Sequence, residues 1–424
     1  MKETETSRRS LLLGMSALPA LAVAGQSAAS DLSKTLTAAV SGAAGAGAAA
    51  ARGTLVKPTV RAPRGARGIF TRLPDVDLES QQEYIWGRAR WGMQITRAAE
   101  ARGQEILRAH GIDPMKPTDM KTQDIAALLH ADPLIARAAR MGSLNNYDTF
   151  ATLSNYFNSK GDYYHDVLAA SDKQGPGALV LSRNMDVPEY TMHEIHNQRG
   201  GYMGDPFAGF VYFYGTQVLS DGTNEQDTTY DRIAASIPLP ADGKVRRILD
   251  QGTGPGQLAS ALKRRFPDAE VWGLDVSGPL LRFAHMRDTE MGLGVNYAHK
   301  LAEDNGFPDN HFDIITSVSF HHELTAEASK EVFKEVHRVL RPGGVYRPAD
   351  SGINPRTNTP HDKLGHYIGC RVNHEVWTLE WSDMDRLGAM RSAGLIVDPM
   401  GIPGVADGGH SWWLSAIRLI ATKA

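Results

Sequence analysis

The chain is poor in cysteine, in net charge and in long apolar runs. A single cysteine, Cys370, among 424 residues excludes an intramolecular disulfide, so stability must come from packing. A formal net charge of −3 excludes the global basic field that attracts nucleic acid. Beyond the N-terminus no stretch is long and apolar enough for a membrane helix, and we expect no transmembrane segment. The hydrophobic fraction of 42% and the length suit a globular protein of two or three units.

The N-terminus has the pattern of an export signal. Paired arginines at Arg8 and Arg9 precede an apolar run that ends near Ala24, and Ala22-Val23-Ala24 is a small-x-small cleavage site. This pattern predicts a signal peptide over 1–24, and the arginine pair indicates the twin-arginine route for folded proteins. Two locations remain open, periplasmic or exported if the signal is used and cytoplasmic otherwise.

Composition divides the rest of the chain into three parts. Residues 25–71, rich in Ala, Gly, Arg and Pro, are predicted to be a disordered linker. Apolar periodicity over 72–240 predicts a mainly helical accessory region, with helices from Leu78 to Gly111 and from Thr122 to Met141. Aromatic residues crowd its middle, and core packing is their more usual role. Prolines and an Asp-Gly pair near 240 mark its end.

From 241 to 424 short apolar runs alternate with amphipathic helical stretches. This order predicts an α/β fold, a doubly wound, mostly parallel Rossmann-like sheet. The predicted strands are 247–250, 270–275, 312–318 and 344–349, with 395–398 and 412–421 closing the sheet. The predicted helices are 257–266, 278–291, 325–340 and 382–393, the last opened by Ser382 as its cap with Asp385 at the third position.

A glycine-rich turn with a preceding acid is the strongest local pattern. Asp250 ends the first of these strands, and Gly252, Gly254 and Gly256 lead directly into a helix. Glycines let the backbone turn tightly and let a ligand approach closely. Asp275 ends the next strand, where a carboxylate can accept both hydroxyls of a ribose.

The glycine spacing bears on the ligand. A dinucleotide fold favours G-x-G-x-x-G, whereas this loop runs G-x-G-x-G with an acid two residues before its first glycine. That acid sits badly beside a pyrophosphate and suits an ammonium group. A ribose with an ammonium group and no phosphate describes S-adenosylmethionine. A turn without ligand is the alternative, and a nicotinamide-dependent oxidoreductase fits the spacing less well.

These motifs resemble the class I S-adenosylmethionine-dependent methyltransferases, in particular those acting on quinones, sterols and other small molecules. The resemblance covers about Val245 to Ala421 and rests on residues 248–256, 271–277, 302–313, 321–322 and 339–344. It implies that the glycine loop holds the methionine part, Asp275 the ribose, and residues near 276 and 302 the adenine. Leu301 departs from the family, because relatives often carry an acid there that takes the adenine amino group. In this chain Glu303 or backbone groups must bind that amino group instead. The cofactor site thus predicted comprises Asp250, Gly252, Thr253, Gly254, Gly256, Asp275, Val276, Ala302 and Glu303.

Methyl transfer from a sulfonium is an in-line displacement in which the protein positions the partners. An oxygen or nitrogen acceptor also needs a general base. His321 and His322, which follow the predicted strand 312–318, are the candidates, with a structural role as the alternative. The acceptor is predicted to be a small molecule, for which an apolar body is one option.

Three further groups carry no firm assignment. One polar set recurs every four residues and fits a pocket wall, zinc ligands or plain surface: Asp362, His366, Cys370 and His374. Because glycines weaken that helix, no residue is assigned to a metal. The tryptophans 377, 381, 412 and 413 fit a core or an acceptor pocket, and His193, Glu194 and His196 receive no chemistry. Taken together, the sequence motifs predict an active small-molecule methyltransferase, with a non-catalytic cofactor-binding or scaffold protein as the alternative.

Overall fold

The computed structural model describes residues 66–67, 70–73, 75–216, 227–350, 359–398 and 419–424. The predicted signal peptide at 1–24 and nearly all of the predicted linker lie outside these residues and stay predictions. The end of that linker forms a small antiparallel hairpin of β1 (Ala66–Arg67) and β2 (Phe70–Thr71). All described residues belong to one compact unit within Thr54–Ala424.

The accessory region is mainly helical, as predicted. Its first helix, α1, covers Val76–Ala109 and begins at Asp75, whose side chain accepts the backbone N–H of Asp77. The other elements are α2 (Thr122–Leu129), α3 (Pro133–Ser159), α4 (Gly161–Ser171), β3 (Leu179–Val180), short 3₁₀ turns at Glu189–Thr191 and Ile195–Asn197, α5 (Gly201–Gly204), α6 (Ala208–Gly215) and α7 (Thr228–Ser236).

The single helix predicted from Thr122 to Met141 is two helices. Pro133 cannot continue a helix because it lacks an N–H, but it suits a first helical turn. Asp132 accepts the N–H groups of Leu134 and Ile135 at 3.0 and 3.3 Å and so opens α3 as its N-cap.

The C-terminal part is the predicted doubly wound sheet. Its strands are β4 (Arg247–Gln251), β5 (Glu270–Asp275), β6 (Val295–His299), β7 (Phe312–Val318), β8 (Leu340–Ala349), β9 (Ile396–Asp398) and β10 (Ile420–Thr422). With β3 they form an eight-stranded sheet in the order β3-β6-β5-β4-β7-β8-β10-β9. Among the described strands of this sheet only β10 pairs antiparallel, with β8 and with β9, so the sheet is mostly parallel and the predicted fold class is confirmed.

Helices connect these strands and cover both sheet faces. They are α8 (Gln257–Arg265), α9 (Gly278–Met291), α10 (Ala326–Val339), α11 (Pro360–Asn373), α12 (Thr378–Asp383) and α13 (Arg386–Ser392), with a 3₁₀ turn at His321–Glu323. Two buried apolar clusters pack against the sheet, and within the described residues no helix has the length and apolar character needed to cross a membrane.

Two sequence-based assignments in this part were wrong. The helix predicted from Ser382 to Ala393 is broken at the extended residue Met384, and Asp385 rather than Ser382 caps α13 by accepting the N–H of Gly388. The strand Val295–His299 was not predicted at all, and Leu179–Val180, assigned to the accessory region, pairs with it at the sheet edge. Of the predicted strand 412–421, the described residues hold only β10.

Candidate active site

The glycine loop lies at the carboxyl end of β4, where doubly wound sheets bind ligands. Gly252, Gly254 and Gly256 all adopt positive φ angles, of 61°, 53° and 78°. A Cβ at Gly252 would lie 2.2 Å from the ring of Phe320, so that position has no room for a side chain. Gly254 differs because the nearest atom to its Cβ position is 3.9 Å away, in Tyr212, so its backbone is open to the pocket.

Asp250 carries a buried carboxylate with one unused oxygen. The residue is 1% exposed, and its Oδ2 accepts the Thr253 hydroxyl at 2.6 Å. Its Oδ1 is buried and has no hydrogen-bond partner among the described residues. Burial, helped by the nearby charge of Asp275 and opposed by the Thr253 hydrogen bond, raises the pKa of Asp250 to about 7. A buried acceptor without a partner suits a ligand that brings a donor or a positive charge.

Asp275 faces the same pocket from the end of β5. Its Oδ2 accepts the backbone N–H of Gly254 at 2.9 Å, and its Oδ1 accepts that of Ser277 at 2.8 Å. Burial raises the pKa of this carboxyl, although the backbone donors oppose the shift. The glycine loop is thus tied directly to Asp275, and the two carboxylates line one cleft.

Most of the remaining predicted cofactor residues line this cleft too. Thr253, Val276, Ala302 and Glu303 do so, with Leu301 beside them, whereas Gly256 lies behind the pocket wall as the N-cap of α8. The carboxylate of Glu303 accepts a hydrogen bond from the hydroxyl of Tyr190 in the accessory region. A tyrosine distant in sequence therefore positions the acid that was expected to serve the adenine.

The turn at His321–Glu323 is fastened to the end of β8. The carboxylate of Asp350 accepts the N–H of Phe320 at 2.9 Å and that of His321 at 2.7 Å, and it lies 2.6 Å from His322 Nδ1. Burial opposes the charged form of His322, but Asp350 and Glu323 raise its pKa well above the ordinary value. His322 lines the pocket and is held as a hydrogen-bond donor.

His321 lies outside the pocket. Its ring stacks on Trp381 with centroids 5.1 Å apart, and its Nε2 lies 2.7 Å from the hydroxyl of Tyr346. Burial lowers the pKa of His321 to about 4. Of the two predicted histidines only His322 is placed where it can meet an acceptor, and His321 packs in the core.

The far end of the pocket is built largely by the accessory region. His196, Tyr202 and Tyr212 line it, opposite Glu323 and Glu375. The ring of His196 lies 6.3 and 5.7 Å from those of Tyr202 and Tyr212. Burial raises the pKa of Glu375 to about 7, and its Oε1 accepts the side-chain amide of Asn373 at 2.8 Å.

Sequence reasoning missed this end of the pocket. His196 belongs to the polar group that received no chemistry, and Glu375 directly follows His374 of the four-residue repeat. These residues come together only in the tertiary fold, so no short-range spacing in the sequence predicts that they share a site. A buried glutamate beyond the break of a helical polar repeat is the one signal that points there.

The repeat on α11 does not form a ligand set. Asp362 is bound in a capping box with Thr359, and His374 ends the helix at a φ of 56° and is exposed. Burial lowers the pKa of His366 to about 3 and raises that of the Cys370 thiol to about 11. The pocket is lined by none of these four.

The tryptophans are placed away from the pocket as far as they are described. Trp377 donates its indole N–H to the carbonyl oxygen of Tyr190 at 2.9 Å, and Trp381 is buried in the core. Trp412 and Trp413 lie outside the described residues. The acceptor-pocket role weighed for Trp377 and Trp381 therefore gives way to core packing.

Comparison with known proteins agrees with this geometry. Residues 248–344 match the family described as Methyltransferase domain. A demethylmenaquinone methyltransferase of Thermus thermophilus is 38% identical over 26% of this chain and 49% of its own length. A fatty-acid O-methyltransferase of Mycolicibacterium smegmatis is 36% identical over 30% of this chain and 43% of its own length. A probable phthiotriol/phenolphthiotriol dimycocerosates methyltransferase of Mycobacterium ulcerans is 33% identical over 32% and 51%.

The chain thus spans about half the length of the curated relatives it matches. The family match, the relatives and the sheet order support a class I S-adenosylmethionine-dependent methyltransferase domain in the C-terminal part of the chain.

Proposed function

We propose that this protein uses S-adenosylmethionine to methylate a small-molecule acceptor. The observation that carries the proposal is the cleft in which Asp250 and Asp275 flank an open glycine loop, with the Oδ1 atom of Asp250 buried and without a partner. A cationic amino group provides the donor that this oxygen lacks. The family match over 248–344 supports the same conclusion.

The residues present fit the cofactor. Asp250 would take the ammonium group and Asp275 the ribose hydroxyls. Val276 would pack on the adenine, and Ala302 and Glu303 would contact its edge. At Gly254 the nearest atom to the Cβ position is 3.9 Å away, so glycine leaves the loop backbone open to the cofactor there. When bound, S-adenosylmethionine supplies an electrophilic methyl group on a sulfonium.

The protein's part in the chemistry is positioning and exclusion of water. The accessory region covers the cleft with Tyr190, Tyr202 and Tyr212, and Phe320 closes it from the sheet side. We propose that His322, held by Asp350, orients the acceptor as a donor. Glu323, 3.3 Å from His322 Nε2, and Glu375 are the pocket carboxylates that we propose as bases for the acceptor.

We propose an acceptor with an apolar body and one polar methyl-accepting group. Apolar side chains also line the pocket, among them Ile195, Met203 and Leu324. The polar groups His322, Glu323 and Glu375 gather at one end. The printed names of two relatives, which act on demethylmenaquinone and on fatty acids, support an acceptor of this kind.

Calorimetric titration of the full chain tests the cofactor. We expect binding of S-adenosylmethionine and no binding of NAD. Asp275→Asn should weaken it at least tenfold, since a hydrogen bond to a charged group contributes about 1.5–3 kcal/mol. Asp268→Asn, a charge loss on an exposed turn of the same domain, is the matched control and should bind normally. Heat with NAD alone would overturn the assignment.

A second measurement separates an enzyme from a non-catalytic cofactor-binding protein. The chain is incubated with methyl-labelled S-adenosylmethionine and a quinone and lipid extract, and label in the organic phase is counted. Transfer that Asp275→Asn reduces supports an enzyme. Tight cofactor binding without transfer to any extract favours the scaffold alternative.

A further inference from the structure

Three side chains meet at the acceptor end of the pocket and make no hydrogen bond to one another. They are His196 from the turn Ile195–Asn197, Glu323 from the turn His321–Glu323, and Glu375, which follows α11. We propose that these three residues bind a divalent transition-metal ion of the Zn²⁺ or Mn²⁺ type.

The distances suit a metal better than direct contact. One ligand atom from each residue lies within 4.8 Å of the other two. His196 Nε2 is 4.0 Å from Glu323 Oε1, and His196 Nδ1 is 3.9 Å from Glu375 Oε1. Both separations are too long for a hydrogen bond. These two distances start from opposite nitrogens of the ring, and a single ion would bind only one of them. With one ligand atom per residue the three atoms lie within 4.8 Å of one another. Ligands about 2.1 Å from one ion lie roughly 3–4 Å apart, so shifts of about an ångström complete the site.

An unpartnered buried nitrogen points into this cluster. His196 is 5% exposed, and its Nδ1 has no hydrogen-bond partner among the described residues. Such a buried polar atom costs about 1–3 kcal/mol when nothing satisfies it. The Oε2 atom of Glu323 is buried and without a partner as well. A metal ion satisfies a nitrogen and a carboxylate oxygen together.

Charge favours a cation at the same point. Glu323, Glu375 and Asp350 bring three carboxylates close together, and the His322 ring lies between two of them, 3.3 Å from Glu323 Oε1 and 2.6 Å from Asp350 Oδ1. A divalent ion removes the repulsion between the two ligating carboxylates. One imidazole with two carboxylates is a borderline donor set, which suits zinc or manganese better than calcium.

The ion would face the cleft that holds Asp250 and Asp275. An acceptor oxygen bound to a metal loses its proton more readily than a free one. That use of the ion rests on the proposed function, whereas metal binding itself does not.

Metal binding is tested on the full chain after treatment with EDTA and dialysis. Zn²⁺ and Mn²⁺ are titrated separately by calorimetry, without S-adenosylmethionine or any acceptor, and metal content is measured by mass spectrometry. We expect one ion per chain. His196→Ala and the isosteric Glu375→Gln should each weaken binding of that ion at least tenfold.

Two exposed neighbours provide matched controls, Glu194→Gln for the carboxylate and His374→Asn for the imidazole. Both should bind the ion as the parent chain does. Thermal unfolding shows whether each variant is folded. If His196→Ala does not fold, Glu375→Gln still tests the site, because it keeps the size and shape of the glutamate side chain.

The proposal is overturned if neither ion binds stoichiometrically, or if both ligand variants bind it with unchanged affinity. Binding of S-adenosylmethionine by the metal-free chain is recorded separately. A chain that binds metal but not S-adenosylmethionine retains this site and loses the proposed function, and the converse result does the opposite.

Discussion

Asp250 is the residue whose ionisation should govern cofactor affinity. Burial raises its pKa to about 7, so near neutral pH the free protein holds a mixture of acid and carboxylate. An ammonium group favours the carboxylate, and below the pKa each pH unit lowers the ionised fraction about tenfold. Cofactor affinity should therefore fall as the pH falls, because acid protonates the carboxylate that pairs with the ammonium group.

We therefore predict that affinity for S-adenosylmethionine falls about tenfold between pH 6.5 and pH 5.5. Calorimetry at constant ionic strength measures it. Asp250→Asn should bind weakly at both values and show little pH dependence, whereas the exposed Asp268→Asn should follow the parent. A flat profile in the parent chain would remove Asp250 from the ammonium site.

Two glycines of the loop should respond differently to alanine. Gly252→Ala combines a left-handed φ, worth about 1–2 kcal/mol, with a Cβ 2.2 Å from the Phe320 ring. It should lower the melting temperature by about 5 °C or more, since 1 kcal/mol shifts a domain of this size by about 2–4 °C. Gly254→Ala carries the same left-handed φ cost, but its Cβ meets only open pocket space, so it should lose less stability than Gly252→Ala and more cofactor affinity. Scanning calorimetry with cofactor titration of both variants checks this, and equal melting losses would contradict it.

The sequence makes Asp250 and Asp275 predictable because each ends a strand next to its own loop, and neighbouring parallel strands end at one sheet edge. His196 and Glu375 follow no such rule, because they meet only after helices far apart in the chain have packed. His321 is the opposite case, a residue predicted to lie in the site that packs in the core instead. Adjacent histidines on a turn point in different directions, and the sequence does not say which one faces a pocket.

At the scale of elements, Asp132 decides where α3 begins. It accepts two backbone N–H groups of the first turn, and the guanidinium of Arg102, its largest influence, lowers the pKa of this carboxyl. Asp132→Ala should cost about 1 kcal/mol in the free energy of unfolding, whereas Asp132→Asn keeps a capping oxygen and should cost less. Urea unfolding at pH 7 measures both, and equal losses would show that the cap contributes nothing beyond the ion pair.

Elements with strong local signals were predicted with nearly correct ends. The strands β5 and β7 and the helix α9 agree residue for residue, because each is flanked by a turn or a cap. The strand β6 was missed because five residues of mixed polarity give weak periodicity. The break between α12 and α13 was missed because Ser382 and Asp385 both resemble caps, and only the tertiary structure selects the aspartate.

At the scale of the whole molecule, the accessory region and the sheet share one core. Phe283 of α9 packs its ring 4.9 Å from both Phe210 and Phe213 of the accessory region. Arg282 makes an ion pair with Asp172 at 2.8 Å, and Leu364 of α11 lies among the apolar residues of the first helices. These contacts argue against independent unfolding of the two parts.

We predict a single unfolding transition in urea, with far-UV circular dichroism and tryptophan fluorescence giving one midpoint. Phe283→Ala should lower the free energy of unfolding by about 3–5 kcal/mol, and so move the midpoint to lower urea, because it opens a cavity in the shared core. Tyr84→Ala, at an aromatic residue 68% exposed on α1, should change it little. Two separated midpoints in the parent chain would show that the parts fold independently.

The two residues of β3 have a consequence for solubility. They pair with β6, which would otherwise be the exposed edge strand of the sheet. A fragment starting at the glycine-loop domain would leave the N–H and C=O groups of β6 open to a second copy. Such a fragment should self-associate through this edge. The accessory region therefore also protects the domain from aggregation by covering the edge strand.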